Sequence, residues 1–488
     1  IIKHMKLTFP EEVKKVAGLL EANHFETYLV GGCVRDLLLD KEPKDWDITT
    51  NARPDQIQKI FPNSVYENEF GTVAVKTDSE DPKLKIIEIT TYRKEGRYTD
   101  KRHPDEVKFS NKIEDDLSRR DFTVNAIALN ITGEFVDPFD GQKDIKAKVI
   151  KTVGKATERF GEDALRLMRA VRLATELEFE IEKKTATALK KQAGSLEMIA
   201  NERIKDELSK MIMASKAADG IRLLAETSLL KHVMPELEEG IGVGQNKHHI
   251  YTVFEHNVKA LEYSAGKNYS LIVRLASLLH DVGKPKTKRG EGPDSTFYNH
   301  EVVGARMTLR MLDRLHYSKK IVEKVTHLVR SHLFYYNVGE VTEAGVRRFL
   351  RRVGPENIPD LIKVREADRI GSGVPKAVPY KIRHLLFMIE KVEKDPIDSR
   401  MLKIDGSHVM KLGKLEPGPK IGQILAVLLE DVLEDPKKNN EEDLAKRIKE
   451  LNKLPEKELH KMTEKAKKRK NEFESGLEQK IKKKFYIK

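Results

Sequence analysis

The sequence predicts an α/β head followed by a long all-helical region. Four short β-like runs, at residues 27–30, 72–75, 85–91 and 126–130, alternate with helical stretches. This alternation is typical of an α/β layer. From about Val153 onward the apolar residues follow a helical spacing rather than the period-2 alternation of a strand. We therefore expect the strands to lie in the first third of the chain.

The length of the chain indicates several domains, because 488 residues are too many for one compact core. Loops rich in glycine, proline and polar residues at 239–249 and 370–379 are typical of domain boundaries. We expect a head at 20–150, a helical neck at 151–238, a body at 239–375 and a helical basic tail at 376–488.

Composition argues against a membrane or secreted protein. The apolar run 270–279 is interrupted by Arg274 and is far shorter than the roughly 18 apolar residues of a membrane span. Met5 is followed by Lys6 and a helical pattern rather than by a signal peptide. The single cysteine, Cys33, cannot form an internal disulfide or a cysteine-based metal site. These features predict a cytoplasmic protein in which Cys33 packs inside the fold.

The positive charge of the chain is concentrated at its end. The formal net charge is +12, and residues 461–488 contain eleven lysines and arginines against four acidic residues. Such a tail attracts a polyanion at long range. A solvated helix with interspersed charges explains the same composition, and the sequence leaves both interpretations open.

A pair of glycines lies where a strand should turn into a helix. Gly31 and Gly32 follow an apolar run and precede the helical run 34–39, so backbone N–H groups at this turn can approach a phosphate. A tight turn without a ligand has the same pattern. Arg35, one turn into the helix, favours the phosphate interpretation.

Two aspartates follow this turn. Asp45 and Asp47 flank Trp46 in a predicted short strand, whose alternation places both carboxylates on one face. Hard oxygen ligands of this kind suit Mg²⁺, and a paired Mg²⁺ site activates a hydroxyl and neutralises a leaving pyrophosphate. Glu88, on a later β-like run, is either a third carboxylate of the site or a solvent-facing residue.

Two arginines and an aspartate precede the apolar run 122–129. The guanidinium groups of Arg119 and Arg120 suit a triphosphate. Asp121 or Asn125 is a candidate partner for a ribose hydroxyl. A surface charge cluster is the alternative.

Residues 162–172 carry alternating acidic and basic side chains. Helical spacing predicts Asp163, Arg166 and Arg169 along one side, with Arg172 on a neighbouring stripe. An i,i+3 salt bridge between Asp163 and Arg166 is one interpretation. The other is base recognition, because an aspartate only accepts and an arginine only donates hydrogen bonds. Such a pair matches the Watson–Crick edges of cytosine and adenine and mismatches those of uracil and guanine.

Taken together, these motifs resemble the class II tRNA nucleotidyltransferases, the family of CCA-adding enzymes and bacterial poly(A) polymerases. The resemblance runs from Tyr28 to about Leu208 and includes residues 202–208, which are similar to the helical neck element of the family. It implies a polymerase-β-like head in which Asp45 and Asp47 are catalytic and hold Mg²⁺. It also implies a nucleotide-binding set of Gly32, Arg35, Arg120, Asp163, Arg166, Arg169 and Arg172.

The activity implied by the resemblance is the addition of CMP and AMP from CTP and ATP to the 3′ end of tRNA. The implied partners are tRNA, CTP and ATP, without a membrane or an obligate protein partner. Residues 93–108 correspond to a flexible loop that the family uses to switch from C to A addition. Its presence argues against an enzyme that adds only the two cytidines. A poly(A) polymerase or an enzyme that adds only the terminal A remains an alternative.

The helical middle resembles the HD metal-dependent phosphohydrolase domain. Its candidate metal ligands are His256, His280, Asp281 and Asp368, accompanied by further histidines at 300, 327 and 332. Imidazoles and carboxylates without thiolates suit a divalent transition metal or Mg²⁺, which can activate water against a phosphoester. The body is either a working hydrolase or an RNA-binding scaffold. A phosphohydrolase with a non-catalytic, RNA-binding head is a further alternative. The histidines at 249 and 316 are assigned to no site.

Overall fold

A computed structural model describes residues 7–66, 71–96, 106–246, 250–374, 376–393 and 402–487. The chain divides into two compact units. One consists of Ile1–Leu333 and Pro359–Pro375, and the other of Phe334–Ile358 and Lys376–Lys488. The first unit contains the head, the neck and most of the body.

Seven short strands form one mixed sheet in the head, in the order β3-β4-β5-β2-β1-β8-β9. Neighbouring strands run antiparallel except β2 and β5, which are parallel. Two further pairs lie outside this sheet, β6 with β7 and β10 with β11. The strands are β1 (Thr27–Val30), β2 (Asp47–Thr50), β3 (Ser64–Tyr66), β4 (Thr72–Lys76), β5 (Ile86–Thr91), β6 (Arg93–Glu95), β7 (Val107–Phe109), β8 (Ala128–Leu129), β9 (Phe135–Val136), β10 (Val149–Ile150) and β11 (Glu180–Ile181).

Short helices connect and cover the strands of the head. The first helix buries Val13, Val16, Ala17 and Leu20, a spacing that forms one apolar face. Cys33 is fully buried in the second helix, as predicted. The head helices are α1 (Glu11–Ala22), α2 (Gly32–Leu38), α3 (Pro54–Ile60), α4 (Ile113–Ser118) and α5 (Gly141–Ala147).

The α/β head was predicted correctly, but two details differ. Strand β2 begins at Asp47, and Asp45 lies in a bend before it, so the prediction that both aspartates share a strand is wrong. The strand β11 lies beyond the point where only helices were expected, and it pairs with β10 in parallel. Strands of two residues are too short to show the alternation on which sequence prediction depends.

Helices make up nearly all of the described neck and body. Helix α9 packs against both α7 and α14. The bounds are α6 (Ala156–Glu162), α7 (Leu165–Leu177), α8 (Lys183–Gln192), α9 (Asn201–Met213), α10 (Ala217–Glu226), α11 (Leu230–Val233), α12 (Pro235–Glu238), α13 (Val253–Gly266), α14 (Leu271–Leu279), α15 (Lys284–Thr287), α16 (His300–Arg314), α17 (Lys319–Ser331), α18 (Glu343–Val353), α19 (Ile358–Gly371) and α20 (Tyr380–Glu393).

A buried arginine joins the neck to the body. Arg274, at the start of α14, is 1% exposed. Its Nη1 donates to the carbonyl oxygens of Ile212 and Ala214, each at 2.9 Å, where α9 ends. Its Nε donates to the carbonyl of Tyr269 at 2.9 Å. Because the last carbonyls of a helix lack partners within the helix, this guanidinium completes the end of α9 from the neighbouring helix.

The second unit has an apolar core of its own, formed in part by Val427, Leu428 and Ile448. Its last four helices are α21 (Gly406–Gly413), α22 (Pro419–Glu434), α23 (Glu441–Asn452) and α24 (Glu456–Lys484). The basic end of the chain is therefore helical and packed, with Leu459 and Ala466 buried. Throughout the described residues, no helix combines the length and apolar character needed to cross a membrane.

Candidate active sites

The turn between β1 and α2 requires glycine. Gly31 has a φ of +77°, a conformation that side chains rarely adopt. A Cβ at Gly31 would lie 3.1 Å from Arg120 Nη1 and 3.6 Å from Asp47 Oδ2. A Cβ at Gly32 would lie 3.7 Å from Asp45 Oδ1. The turn thus brings the backbone against both predicted carboxylates and a predicted cation.

The carboxylates of the head lie close enough to repel one another. Asp47 and Glu88 are paired residues of the parallel strands β2 and β5. Burial raises the pKa of Asp47 to about 6, with repulsion from Asp45 and Glu88 adding to the rise and Arg120 opposing it. A cation relieves such repulsion, and carboxylate oxygens are hard ligands. The donor set therefore fits a divalent ion.

The two predicted phosphate-binding arginines are held in fixed positions. Arg35 Nη1 donates to Asn125 Oδ1 at 2.7 Å, and its Nε donates to Asp36 Oδ1 at 2.9 Å. Arg120 Nη2 donates to Oδ2 of the fully buried Asp116 at 3.2 Å. These contacts reduce the side-chain entropy that binding an anion costs. Sequence reasoning did not identify Asp116, whose burial depends on the packing of α4.

Asp121 links the head to α7. Arg169 Nε donates to Asp121 Oδ2 at 2.7 Å, and Asn125 Nδ2 donates to Oδ1 at 3.3 Å. Burial alone would raise the pKa of Asp121, but attraction to Arg169 and Arg166 and these hydrogen bonds outweigh burial and lower it to about 2. The carboxylate is therefore charged and bound to the protein.

The salt bridge between Asp163 and Arg166, the alternative to base recognition, does not form: Arg166 pairs with Glu162 and Asp163 with Arg203. Helix α6 ends at Glu162, and Asp163 has extended backbone angles, φ −133° and ψ 109°. The assumption of one continuous helix therefore fails at Asp163. Instead, Arg203 Nη2 donates to Asp163 Oδ2 at 3.1 Å. Asp163 Oδ1 accepts from the backbone N–H of Leu165 at 2.9 Å and begins the next helix.

Arg166 contacts backbone and an acid instead. It is 8% exposed, donates to the carboxylate of Glu162 and donates through Nη1 to the carbonyl of Arg159 at 3.0 Å. Its Nη2 approaches the carbonyl of Arg119 at 3.3 Å. The guanidinium is therefore positioned by the end of α6 and by the head.

The neck helix α9 supplies two residues that sequence reasoning did not assign. Arg203 binds Asp163, and one turn later Glu207 accepts from Arg172 Nε at 2.5 Å. Arg172 also donates to Glu176 at 2.5 Å. Both α9 residues lie in the segment that resembles the family's neck element, but their partners, 35 and 40 positions away, leave no local signal.

The loop proposed for the switch from C to A addition is described only at its ends. Strands β6 and β7 pair in antiparallel register, with Arg93 opposite Phe109 and Glu95 opposite Val107. The residues between these ends, 97–105, lie outside the described residues. Its predicted role stays a prediction.

In the body, the predicted HD residues come together. His256 Nε2 and His280 Nε2 lie 2.8 Å apart, and Asp368 Oδ1 lies 3.4 Å from His256 Nε2. These three residues offer ligand atoms within 4.8 Å of one another. A proton or a metal ion between the imidazoles is required at such a separation.

A second ligand set adjoins the first. Asp281, His300 and His332 also offer atoms within 4.8 Å of one another. Asp281 faces both sets, with Oδ2 3.0 Å from His256 Nε2 and Oδ1 3.2 Å from His300 Nε2. The Asp281 carboxylate therefore directs one oxygen toward each ligand set. His327 belongs to neither set among the described residues, and His249 lies outside them.

The histidine tautomers favour metal binding. Nδ1 of His280, His300 and His332 lies 2.7 to 2.8 Å from the carbonyl oxygen three residues earlier. Each Nδ1–H therefore donates to backbone, and each Nε2 lone pair faces the centre. Lone pairs and carboxylate oxygens converging on a buried point fit a divalent metal.

Close packing positions the second set, and a charged cavity opens beside it. A Cβ at Gly283 would lie 2.3 Å from the carbonyl oxygen of His300, so only glycine lets α16 approach the His280–Asp281 turn this closely. The adjoining cavity has a volume of about 810 Å³ and is lined by Lys284, Arg365 and Arg369. Asp281, Glu301 and Asp368 line the same cavity, and Lys284 and Arg365 pair with two of these carboxylates, so the charge of the lining is mixed.

Three family models match successive parts of the chain. The Poly A polymerase head domain matches residues 27–151, the probable RNA- and SrmB-binding site of polymerase A matches 178–241, and the HD domain matches 249–372. A CCA-adding enzyme of Lactococcus lactis subsp. lactis (strain IL1403) is 31% identical over 92% of this chain and 100% of its own length. The chain belongs to the tRNA nucleotidyltransferase family. The predicted family and fold class are thereby confirmed.

Other tRNA nucleotidyltransferases match to different extents. A CCA-adding enzyme of Lactococcus lactis subsp. cremoris (strain MG1363) is 45% identical, but the match spans 48% of this chain and 59% of that protein. An A-adding tRNA nucleotidyltransferase of Deinococcus radiodurans is 35% identical over 82% of this chain and 90% of its own. The structure of the Bacillus stearothermophilus CCA-adding enzyme with CTP has a TM-score of 0.59 and 26% identity, covering 91% of this chain and 98% of that chain.

Proposed function

We propose that this protein adds CMP and AMP from CTP and ATP to the 3′ end of tRNA without a nucleic-acid template. The observation that carries the proposal is the convergence of Asp45, Asp47, the Gly31 turn and Arg120. This convergence occurs in a chain similar over its length to a CCA-adding enzyme. The pairing of carboxylates with cations suits phosphoryl transfer, in which both the nucleophile and the leaving phosphates carry negative charge.

In the proposed site, Asp45 and Asp47 hold Mg²⁺, with Glu88 beside Asp47. Bound there, Mg²⁺ supplies neutralisation of charge at the reacting phosphate. Arg35 and Arg120 bind the phosphates of the nucleotide, and the Gly31 turn lets them approach the backbone. Because Asn125 and Asp116 already orient both arginines, the site is organised before the nucleotide binds.

We propose that Asp163 and Arg166 select the base. Asp163 is held by Arg203, and Arg166 is held by the backbone carbonyls of Arg159 and Arg119. Asp163 accepts from the amino group of cytosine or adenine, and Arg166 donates to the neighbouring ring nitrogen. Uracil and guanine present an acceptor and a donor in the reverse order, which leaves polar groups without partners. Arg169 and Arg172, held by Asp121 and Glu207, complete the nucleotide-binding set.

Two narrower activities compete with full CCA addition. The relative from Deinococcus radiodurans is an A-adding enzyme, so addition of the terminal A alone is the second candidate. A poly(A) polymerase is the third, since the head matches the Poly A polymerase head domain. All three use the same carboxylates and differ in which nucleotide they accept on which RNA end.

Incubation of three tRNA transcripts, ending before CCA, after the first C and after CC, with CTP, ATP or both decides among them. We expect CTP to extend the first two transcripts to CC, and ATP to complete only the third. Use of ATP on the CC end without any use of CTP would identify an A-adding enzyme. Repeated AMP addition would identify a poly(A) polymerase.

We propose a second function for the body, the hydrolysis of phosphoesters by a site built on His256, His280, Asp281 and Asp368. The observation favouring it is the convergence of imidazole nitrogens and carboxylates beside a cavity whose lining includes three basic residues. A bound divalent metal supplies an activated water. Lys284 Nζ, 2.6 Å from Asp281 Oδ2, fixes the orientation of that carboxylate.

The remaining assignments are proposals as well. We propose a head at 20–150, a neck at 151–238, a body at 239–375 and a tail at 376–488. We also propose a cytoplasmic location, which suits a protein that processes tRNA. Within the tail, Lys461, Lys465 and Lys468 are exposed along one side of α24, and we propose that they contact tRNA phosphates.

Replacing Lys461, Lys465 and Lys468 together by glutamine should weaken tRNA binding without changing base choice. Each phosphate contact contributes about 0.7 to 0.9 to the slope of log affinity against log salt, so we expect the loss of all three contacts to flatten the slope by about 2 to 3. Binding titrations between low and moderate salt measure this change. Substitution is preferable to truncation because Ala466 and Ile481 are buried in the same helix.

The matched control replaces the exposed Lys411, Lys414 and Lys453 of the same unit by glutamine, which removes the same charge from outside α24. An unchanged slope in the α24 variant would favour the alternative interpretation, in which these lysines belong to a solvated helix that does not contact tRNA. A change in the preference for CTP and ATP over UTP and GTP would contradict a role limited to phosphates.

A further inference from the structure

The carboxylate of Asp163 is held at both oxygens. Oδ1 accepts from the backbone N–H of Leu165 at 2.9 Å and from Arg203 Nη1 at 3.5 Å, and Oδ2 accepts from Arg203 Nη2 at 3.1 Å. The backbone contact fixes the oxygen that begins α7. Arg203, which donates to both oxygens, limits rotation of the carboxylate group. The direction in which the remaining lone pairs point therefore depends on Arg203.

Helix α9 carries this arginine as part of a larger contact with α7. One turn after Arg203, Glu207 is 4% exposed and accepts from Arg172 Nε at 2.5 Å. Arg169 Nη1 lies 3.9 Å from Glu207 Oε1 and bonds Asp121 of the head. One face of α9 thus contacts both ends of the proposed nucleotide-binding segment.

The other end of α9 is fixed to the body. Arg274 donates to the carbonyls of Ile212 and Ala214, and Ser209 Oγ lies 2.9 Å from the hydroxyl of the buried Tyr317. A helix held at its far end by buried polar contacts cannot shift freely against α7. Arg203 is consequently presented to Asp163 from a fixed support.

We infer that Arg203 is a positioning residue for base selection: it orients the Asp163 carboxylate so that only an amino group of cytosine or adenine satisfies it. The inference rests on the proposed function. Without Arg203, Asp163 can rotate and accept a bridging water, which satisfies the carbonyl edge of uracil or guanine. The penalty against wrong bases then decreases, because it depends on a buried polar group being left without a partner.

The test is single-nucleotide incorporation with each of the four NTPs on tRNA lacking its CCA end. In Arg203→Gln and Arg203→Met we expect the ratio of CTP to UTP incorporation to fall about tenfold, the size of one hydrogen bond to a charged group. Arg203→Lys keeps the positive charge but loses the planar guanidinium that can donate to both carboxylate oxygens. We therefore expect its ratio of CTP to UTP incorporation to lie between those of Arg203→Gln and the unmutated protein. Both rates are measured on one preparation, so loss of folded protein lowers both and leaves their ratio unchanged.

Two further variants complete the experiment. Arg222→Gln removes an ion pair of similar exposure, Arg222 with Glu255 at 2.6 Å, away from the base-reading residues, and should leave the ratio unchanged. Asp163→Asn should lower the ratio, and adding Arg203→Gln to it should lower it no further.

A ratio in Arg203→Gln and Arg203→Met within twofold of the unmutated protein, with a lowered ratio in Asp163→Asn, would overturn the inference alone. The inference would also be overturned if, in the double variant, Asp163→Asn and Arg203→Gln each lowered the ratio by the same factor as they do alone. If the unmutated protein incorporates neither CMP nor AMP, the proposed function fails instead. The two failures are therefore distinguishable in the same assay.

Discussion

Replacement of Asp45 or Asp47 by asparagine should lower nucleotide addition by about a thousandfold or more, the largest effect that we expect for a single residue. Asparagine keeps the size of the side chain but removes the charge that is proposed to hold a divalent ion. An electrostatic contribution of several kcal/mol to the transition state corresponds to this factor. Incorporation of CMP into tRNA lacking its CCA end, measured in single turnovers, is the appropriate assay.

Binding of tRNA should be nearly unchanged in these variants, because the carboxylates are proposed to hold metal rather than RNA. Asp55→Asn is a suitable control, since Asp55 is an exposed aspartate of the same head. Near-native addition by both site variants would contradict the proposed metal site. Substitution of Asp47 also removes a repelling charge from beside Asp45 and Glu88, so the variant should melt no lower than the unmutated protein.

Replacement of Asp281 by asparagine should remove metal-dependent phosphoester hydrolysis, by about a hundredfold or more, while nucleotide addition is retained. The reason is that Asp281 belongs to the second ligand set and also lies 3.0 Å from His256 of the first. Hydrolysis of p-nitrophenyl phosphate and of a 2′,3′-cyclic phosphate with Ni²⁺, Mn²⁺ or Mg²⁺ measures the effect. Elemental analysis after metal loading should show a loss of bound metal that does not depend on turnover.

His300→Gln separates the two ligand sets, because His300 belongs only to the second. We expect it to lower metal content by less than Asp281→Asn does. Asp313→Asn, at an exposed aspartate of the same helix α16, is the control. Absence of hydrolysis by the unmutated protein with all three metals would leave the body as a scaffold. Simultaneous loss of hydrolysis and addition in Asp281→Asn would indicate unfolding, which thermal melting detects.

The head was predictable because its signals are local. The Gly31–Gly32 turn, the aspartates after it and the arginines before an apolar run each occupy a few consecutive residues. Their convergence required only that a strand, a turn and a helix follow in order. The supporting residue Asp116 was not predictable, because an aspartate in a short polar helix has no local sign of complete burial.

The positions of the base-recognition residues Asp163 and Arg166 were predicted from helical spacing, but the helix is interrupted at Asp163. Helical periodicity assumes an unbroken helix, and the break at Asp163 directs its carboxylate to Arg203, 40 residues away. Similarly, the order of histidines predicted one metal site but not two ligand sets. Which histidines share an ion depends on how α13, α14, α16 and α17 pack, and the Gly283 contact shows that this packing is set by backbone approach.

Because of Arg274, the body has a structural role for helix α9 that does not depend on the proposed metal ligands. The Arg274 guanidinium completes the end of α9 with hydrogen bonds from α14, six residues before His280. A homologue that lost every imidazole of the body would lose the proposed hydrolysis but keep the support of helix α9, which carries Arg203. Loss of Arg274 would instead remove the hydrogen bonds that complete the end of α9. Among homologues we therefore expect metal ligands to disappear in some lineages while the first turn of α14 persists, so that an inactive HD body remains as inherited architecture.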